Sequence, residues 1–197
     1  MLILSQALQE AKTTETHGDT LPHALADLAI SYAQVRQYDK AIEIVNTLDN
    51  AHLKTDALVK MAAKCEENGD RDKAVQFLSE AFSASKSFVG LPAAPYNIAR
   101  NVVAEIAKMY AQVGEFDQAL SVAQAIKRDI YARSKALAAI ANAYVNIGQY
   151  DKALEIIKTA GDYRDQISVL IKMGIKHAKS GQELDDKTKN MLYEVME

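Results

Sequence analysis

Four stretches of the chain repeat one order of apolar and polar positions. Each has a polar start, an aspartate, and then alanine and aliphatic residues at helical spacing. The stretches are QYDKAIEIV from Gln37, DRDKAVQFL from Asp70, EFDQALSVA from Glu115 and QYDKALEII from Gln149. Their shared alanines are Ala41, Ala74, Ala119 and Ala153, at intervals of 33, 45 and 34 residues. Each stretch is predicted to be an amphipathic helix with its aspartate in the first turn, where the helix dipole favours negative charge.

A second helix is predicted upstream of each stretch. Apolar residues at helical spacing lead to a glycine five residues before the shared alanine, and glycine permits the left-handed backbone that commonly ends a helix. The glycines are Gly69, Gly114 and Gly148, and the first copy has Arg36 at that place. The upstream helices share an alanine and then a tyrosine or cysteine, at Ala29, Ala62, Ala107 and Ala141 and at Tyr32, Cys65, Tyr110 and Tyr144. Each repeat is therefore a helix, a tight turn and a second helix.

The shared alanines predict that the two helices of a repeat pack closely. A lone helix pair cannot bury both of its faces, so neighbouring pairs must stack. The pattern resembles the tetratricopeptide repeat, whose period is 34 residues. The fourth copy matches best, with Leu137, Ile140, Ala141, Tyr144, Gly148, Tyr150, Ala153, Ile157 and Ala160 at successive family positions. The tryptophan and the inter-repeat proline of the family are absent. The resemblance covers about residues 22–182 and implies an all-α, right-handed α–α superhelix of about five stacked repeats with degenerate terminal caps.

Three segments follow from this register. Residues 1–21 are expected to hold an N-terminal capping helix, since Ala7 lies 34 residues before Ala41. Residues 22–165 hold four helix pairs, and the long second interval places an insertion near 83–97, in which Gly90, Pro92 and Pro95 interrupt the helices. Residues 166–197 are predicted to be a degenerate fifth repeat and a capping helix.

Composition and charge argue against several classes of function. With 49% apolar and 25% charged residues the 197-residue chain can fill a core, and a net charge of −3 argues against nucleic acid as the main partner. Lys172, Lys176 and Lys179 share one helix face, and this basic stripe is expected to be solvated. The apolar start, Met1 to Leu4, is too short for a membrane span or a signal core, so we expect a soluble protein of the cytoplasm. Neither Cys65 nor the four histidines have the spacing of a metal site, and Cys65 and His177 occupy the packing position of the tyrosine. We therefore expect neither catalysis nor a cofactor.

The resemblance implies a protein-binding groove lined by the first helices of the repeats. Its positions in the first two repeats are His23, Ala26, Ile30, Gln34, Asp56, Val59, Ala63 and Glu67. In the later repeats the candidate partner-binding residues are Asn101, Lys108, Gln112, Lys135, Asn142, Asn146 and Lys179. Asn142 and Asn146 lie one turn apart, and an amide can bind a peptide group through both its donor and its acceptor. They are expected to face the groove with Lys108 and Lys179, which would suit an acidic peptide.

The sequence supports two functions. The first is a non-catalytic adaptor or scaffold that binds a protein or peptide of unknown identity in the groove. The second is a structural assembly subunit that forms oligomers through its terminal helices or its insertion. Exposure of Met191, Leu192, Val195 and Met196 on the last helix would favour assembly. A monomer or a weak homo-oligomer is expected.

Overall fold

The structure is a computed structural model that describes residues 6, 7, 9, 20–87, 96–127, 129–181 and 183–196, without the side chains of 96–100 and 196. These residues form ten helices and no strand, which confirms the all-α prediction. The helices are α1 (Thr20–Gln34), α2 (Tyr38–Asn46), α3 (Ala51–Glu67), α4 (Arg71–Ser85), α5 (Tyr96–Gln112), α6 (Phe116–Ala125), α7 (Ile130–Asn146), α8 (Tyr150–Ile157), α9 (Tyr163–Ser180) and α10 (Asp186–Met196).

The helices follow the predicted order of first helix, turn and second helix. Below, the first and second helices of a repeat are called helix A and helix B, so that α1 and α2 form repeat 1 and α9 and α10 form repeat 5. Helix α4 has 15 residues, whereas the other helices B have between 8 and 11, so the second repeat does end in a lengthened helix. The predicted cap of residues 1–21 and the centre of the insertion, 88–95, lie almost wholly outside the described residues.

The chain divides into two compact units, Met1–Val102 and Val103–Glu197, here called the N-terminal and C-terminal halves. In the N-terminal half α1 packs against α2 and α3, and α3 packs against α4. In the C-terminal half α7 packs against α6, α8 and α9, and α8 packs against α9 and α10. Contacts therefore run between helices of the same or neighbouring repeats, as expected for a stack of helix pairs.

The shared alanines lie where the helices approach most closely. All eight are fully buried, at 0% exposure: Ala29, Ala41, Ala62, Ala74, Ala107, Ala119, Ala141 and Ala153. Larger aliphatic side chains fill the space around them, among them Leu58, Ile106, Ile140 and Leu154. Since close-packed interiors tolerate added volume poorly, the small side chain is required at these positions.

The tight turns between helices A and B share one geometry. The backbone φ is 78° at Gly69, 82° at Gly114 and 82° at Gly148, and Arg36 adopts the same left-handed region at 62°. In the fourth repeat the N–H of Gln149 donates to the carbonyl of Tyr144 at 3.0 Å, and that of Gly148 donates to Val145 at 3.1 Å. These two bonds satisfy carbonyls that the end of helix A would otherwise leave unpaired. The same pair of bonds closes the other three turns.

Side-chain caps distinguish helices A from helices B except in the fifth repeat, where Asp185 accepts from the N–H of Thr188 at 2.7 Å and caps α10. Side chains cap three helices A, since Asn50 accepts from the N–H of Leu53 at 3.0 Å, Asp129 from Ala132 at 3.0 Å and Asp162 from Arg164 at 2.8 Å. The residues that precede α2, α4, α6 and α8 make no such bond. Asp70 directly precedes α4, a position from which a side chain could cap that helix. Its carboxylate instead accepts a hydrogen bond from the Tyr38 hydroxyl and lies 3.6 Å from Arg36 Nη1, so it joins repeats 1 and 2.

Candidate partner-binding surface

The aromatic residue that begins helix B contacts helix A of the next repeat. In the C-terminal half Phe116 stacks on Tyr144 with ring centroids 4.0 Å apart, and Tyr150 meets His177 edge to face at 6.3 Å. Each pair joins one repeat to the helix A of the next. His177 therefore has the packing contact that its position in the repeat predicts.

Cys65 occupies the equivalent position in repeat 2, next to Tyr38. The thiol is fully buried, and burial raises its pKa to about 11. Burial, and then the hydrogen bond to Asp70, raises the pKa of Tyr38 to about 12. Cys65 is therefore a neutral thiol at physiological pH, whereas a nucleophilic cysteine needs a lowered pKa.

Two polar contacts fix α9 against α7 in the C-terminal half. At the start of α9 the N–H of Asp162 donates to Ser134 Oγ at 3.1 Å, and near its end Lys176 Nζ donates to the carbonyl of Asn146. The two helices A therefore run side by side in the same direction.

The candidate residues differ in exposure and in charge pairing. Asn101, Gln112, Lys135, Asn146 and Lys179 are exposed, and Lys108 and Asn142 are half-buried. Lys108 Nζ lies 2.7 Å from Glu105 Oε1, so much of its charge is neutralised within α5. Among the described residues no carboxylate lies within ion-pair distance of Lys135 or Lys179. Among the candidate residues, the lysines that are free to pair with a ligand therefore lie on α7 and α9.

Asn142 has the least satisfied polar group of the candidate set. Its Oδ1 atom is buried and has no hydrogen-bond partner in the described part of the chain. A buried acceptor without a donor costs about 1–3 kcal/mol relative to the same group in water. Asn142 lies one turn before the exposed Asn146 on α7, so the two amides share a helix face.

The N-terminal half has a cavity at the groove positions of its own helices A. A volume of about 730 Å³ is enclosed by the first halves of α1 and α3 and by the loop before α3. His23, Ala26, Ile30 and Asp56 line it, and all four are groove positions that the resemblance implied. The size is that of an ordinary ligand cleft. The candidate partner-binding residues of the later repeats lie outside this cavity.

Two further expectations concern the last two helices. Of the predicted basic stripe, Lys172 and Lys179 are exposed, but Lys176 is half-buried through its bond to Asn146. On α10 the side chains of Met191, Leu192 and Val195 are half-buried, and that of Met196 lies outside the description. The large exposed apolar residues lie instead mainly on α9, at Ile167, Ile171 and Ile175. Within the part of the chain that the structure describes, no helix combines the length and apolar character needed to cross a membrane.

Comparison with protein families identifies one segment. Residues 136–167 match the tetratricopeptide repeat model. Comparisons with curated proteins and with solved structures gave no significant match. The matched segment covers α7 from Ala136, the turn at Gly148, all of α8 and the start of α9, which is the fourth repeat of the sequence pattern. Tetratricopeptide repeats generally mediate protein–protein interactions and are typically non-catalytic. The match confirms, over the fourth repeat, the tetratricopeptide-like resemblance inferred from the sequence.

Proposed function

We propose that the chain is a non-catalytic adaptor or scaffold that binds an extended peptide segment along the groove face of its helices A. The site in the C-terminal half is formed by Asn142 and Asn146 on α7, with Lys135 beside them and Lys179 on α9. The general role of tetratricopeptide repeats in protein–protein interaction supports this class of function.

The unpaired acceptor of Asn142 is the observation that carries the proposal. If the half-buried Asn142 side chain turns outward on binding, a backbone N–H of the peptide would donate to this Oδ1 atom, and the amide N–H groups of either asparagine could donate to a peptide carbonyl. Such binding recognises the peptide backbone rather than a particular side chain. It would also remove the desolvation cost that Asn142 carries in the free protein.

The unpaired lysines of the site favour a ligand segment with acidic side chains. Lys135 and Lys179 have no carboxylate partner among the described residues, whereas Lys108 is already paired with Glu105. Acidic side chains of the ligand would therefore meet Lys135 and Lys179 rather than Lys108. The contribution of these lysines should act mainly on the association rate and should weaken as salt is added.

A peptide array tests the proposal directly. The full chain is applied to arrays of unstructured peptides that are rich in aspartate and glutamate, and to the same peptides with lysine in place of the acidic residues. The strongest peptide is then titrated against the double variant Asn142→Ala, Asn146→Ala. We expect binding to weaken by about 1–3 kcal/mol. The matched control is Asn190→Ala on α10, which is exposed and lies outside the groove, and it should bind normally.

A thermal melt of the same variants separates binding from folding. Because Asn142 Oδ1 makes no bond within the described chain, its removal should leave the midpoint unchanged or slightly higher. Unchanged affinity of the double variant would move the binding surface elsewhere, and the cavity at His23 and Asp56 would be tested next. A lowered midpoint together with lost binding would mean that the asparagines support the fold instead.

A further inference from the structure

Helix α9 carries an apolar face that nothing in the described chain covers. The face consists of Ile167, Ile171, Gly174 and Ala178, at steps of four, three and four residues, and we call it the α9 seam. Ile167 is 54% exposed and Ile171 is 58% exposed, and Gly174 and Ala178 are exposed as well. This spacing places the four residues along one line of the helix, as in the seam of a coiled coil.

The equivalent residues of the preceding repeat are all buried. In register with the α9 seam, α7 has Ser134, Ala138, Ala141 and Val145, none of which is more than 6% exposed. Helix α9 packs against α7, and Asp162 at its start bonds to Ser134. The α9 seam is therefore in register with the face that α7 turns towards α9.

Gly174 makes the seam concave at its centre. A Cβ atom added to this residue would meet no atom within 4 Å, so the helix surface is open there. Glycine within a helix is less favourable than alanine, and the four earlier repeats all have a buried alanine at this position. Gly174 therefore leaves a notch into which a side chain from another helix could fit.

We propose that the α9 seam is a homodimer interface in which α9 packs antiparallel against α9 of a second copy. A two-fold axis between positions 172 and 173 sets Ile171 of each copy against Gly174 of the other, and Ile167 against Ala178. Each large side chain of one copy then contacts a small residue of the other copy. The same contact occurs twice, once on each side of the two-fold axis, as in any isologous interface. A parallel pair would set Ile171 against Ile171 and Gly174 against Gly174, which leaves a void between the two glycines.

Charged side chains leave the seam itself open to a second copy, and Arg164 at the start of α9 pairs with Asp162 at 3.6 Å. Lys172 and Lys179 each follow a seam residue by one position, which puts them about 100° around the helix from the seam. The charged residue in line with the seam is Arg164, whose side chain is 89% exposed. In the antiparallel pair it lies at the C-terminal end of the partner's α9, where unpaired carbonyls and the helix dipole favour a cation.

The dimer should be weak and dependent on concentration. One pair of helices in contact over about four turns is smaller than the usual interface of a stable complex. Sedimentation velocity of the full chain, from about 1 µM to about 500 µM, covers the range expected for such a contact. We expect a monomer at the lower end and a growing fraction of dimer at the upper end.

A matched pair of substitutions locates the interface. Ile171→Lys places a charge in the centre of the seam and should raise the dissociation constant at least about tenfold. Ile147→Lys is the control, because Ile147 is 55% exposed but lies at the end of α7, outside the seam. Both residues are exposed, so thermal melts of the two variants should match that of the unaltered chain. A dimer that persists in Ile171→Lys would overturn the proposal.

Cysteine cross-linking tests the direction of the pair. Chains with Ile171→Cys are mixed with chains with Gly174→Cys under mild oxidation. The mixture should form cross-linked dimers faster than either variant alone, because the antiparallel pair brings these two positions together. Fastest cross-linking of Ile171→Cys with itself would indicate a parallel pair and overturn the arrangement. A chain that stays monomeric at every concentration would overturn the dimer, and capture of an acidic amphipathic peptide by that monomer would assign the seam to another protein.

Discussion

Gly148→Ala should destabilise the C-terminal half by about 1–2 kcal/mol, the cost of a left-handed conformation for a residue with a Cβ atom. The backbone φ at Gly148 is 82°. A Cβ atom there would meet nothing within 4 Å, so the cost contains no clash. It comes from backbone conformation alone, and the turn must retain that conformation because Gln149 and Gly148 donate the bonds that close α7.

The same substitution at Gly174 should have the opposite sign. Gly174 lies within α9, and an added Cβ atom there is equally free of contacts. Gly174→Ala should therefore stabilise the chain by about 0.8–1.0 kcal/mol, the difference in helix propensity. The two variants differ from the unaltered chain by one methyl group each, and both changes lie in the C-terminal half. Their free energies of unfolding should differ by about 2–3 kcal/mol.

Urea denaturation followed by circular dichroism measures this difference. The protein is kept at about 1 µM, so that association through the α9 seam does not contribute. Equal slopes of the free energy against urea concentration would show that the variants unfold over the same surface. A Gly148→Ala variant as stable as the unaltered chain would refute the assignment of a left-handed turn. A destabilised Gly174→Ala variant would show that α9 has a neighbour at that point that the structure does not contain.

Two further predictions concern buried positions. Ala141→Leu should destabilise the chain by about 1–3 kcal/mol because the site is fully buried, whereas Ala125→Leu at an exposed alanine should stay within about ±0.5 kcal/mol. Equal urea midpoints for these two variants would contradict the packing register. The Cys65 thiol, with its pKa raised to about 11 by burial, should resist alkylation at pH 8 in the folded protein and react readily once urea unfolds the N-terminal half, as followed by mass spectrometry.

The turns and the packing positions could be predicted because they depend on local chemistry. Gly69, Gly114 and Gly148 recur at one distance from a shared alanine, and only a left-handed turn explains a glycine at that place. The structure confirms the turn even where Arg36 replaces glycine. Alanine at two fixed positions predicted close helix packing, and the burial of all eight alanines agrees.

Contacts between repeats were harder to predict. The aspartate Asp70 has the position of a helix cap, but its carboxylate turns to Tyr38 and Arg36 of the preceding repeat. Lys176 was placed on a solvated stripe, yet it reaches the end of α7. In each case the sequence predicts on which helix face the side chain lies. Its hydrogen-bond partner depends on how far the neighbouring helix extends, which the sequence does not specify.

The candidate site was predictable in its positions but not in its charges or its unsatisfied groups. The resemblance implied that Asn142 and Asn146 share the groove face, and whether they bind a partner stays a prediction. Pairing of Lys108 with Glu105 reflects side-chain conformation within one turn of helix, which a pattern of residue types does not specify. Exposed apolar residues on α10 would have favoured assembly, but Met191, Leu192 and Val195 are half-buried and three exposed isoleucines lie on α9, because periodicity defines a face and not what covers it.

The contacts between repeats also mean that these repeats are not interchangeable parts. Cys65 leaves room beside Tyr38, whose hydroxyl continues to Asp70, whereas Tyr144 stacks flat on Phe116 and His177 meets the edge of Tyr150. If α3 and α7 were exchanged, the ring of Tyr144 would have to fit into the space that the Cys65 thiol occupies. Phe116 would lose the ring on which it stacks. Within each half, the order of the repeats is thus set by matched side chains at the junctions of repeats 1 and 2, 3 and 4, and 4 and 5.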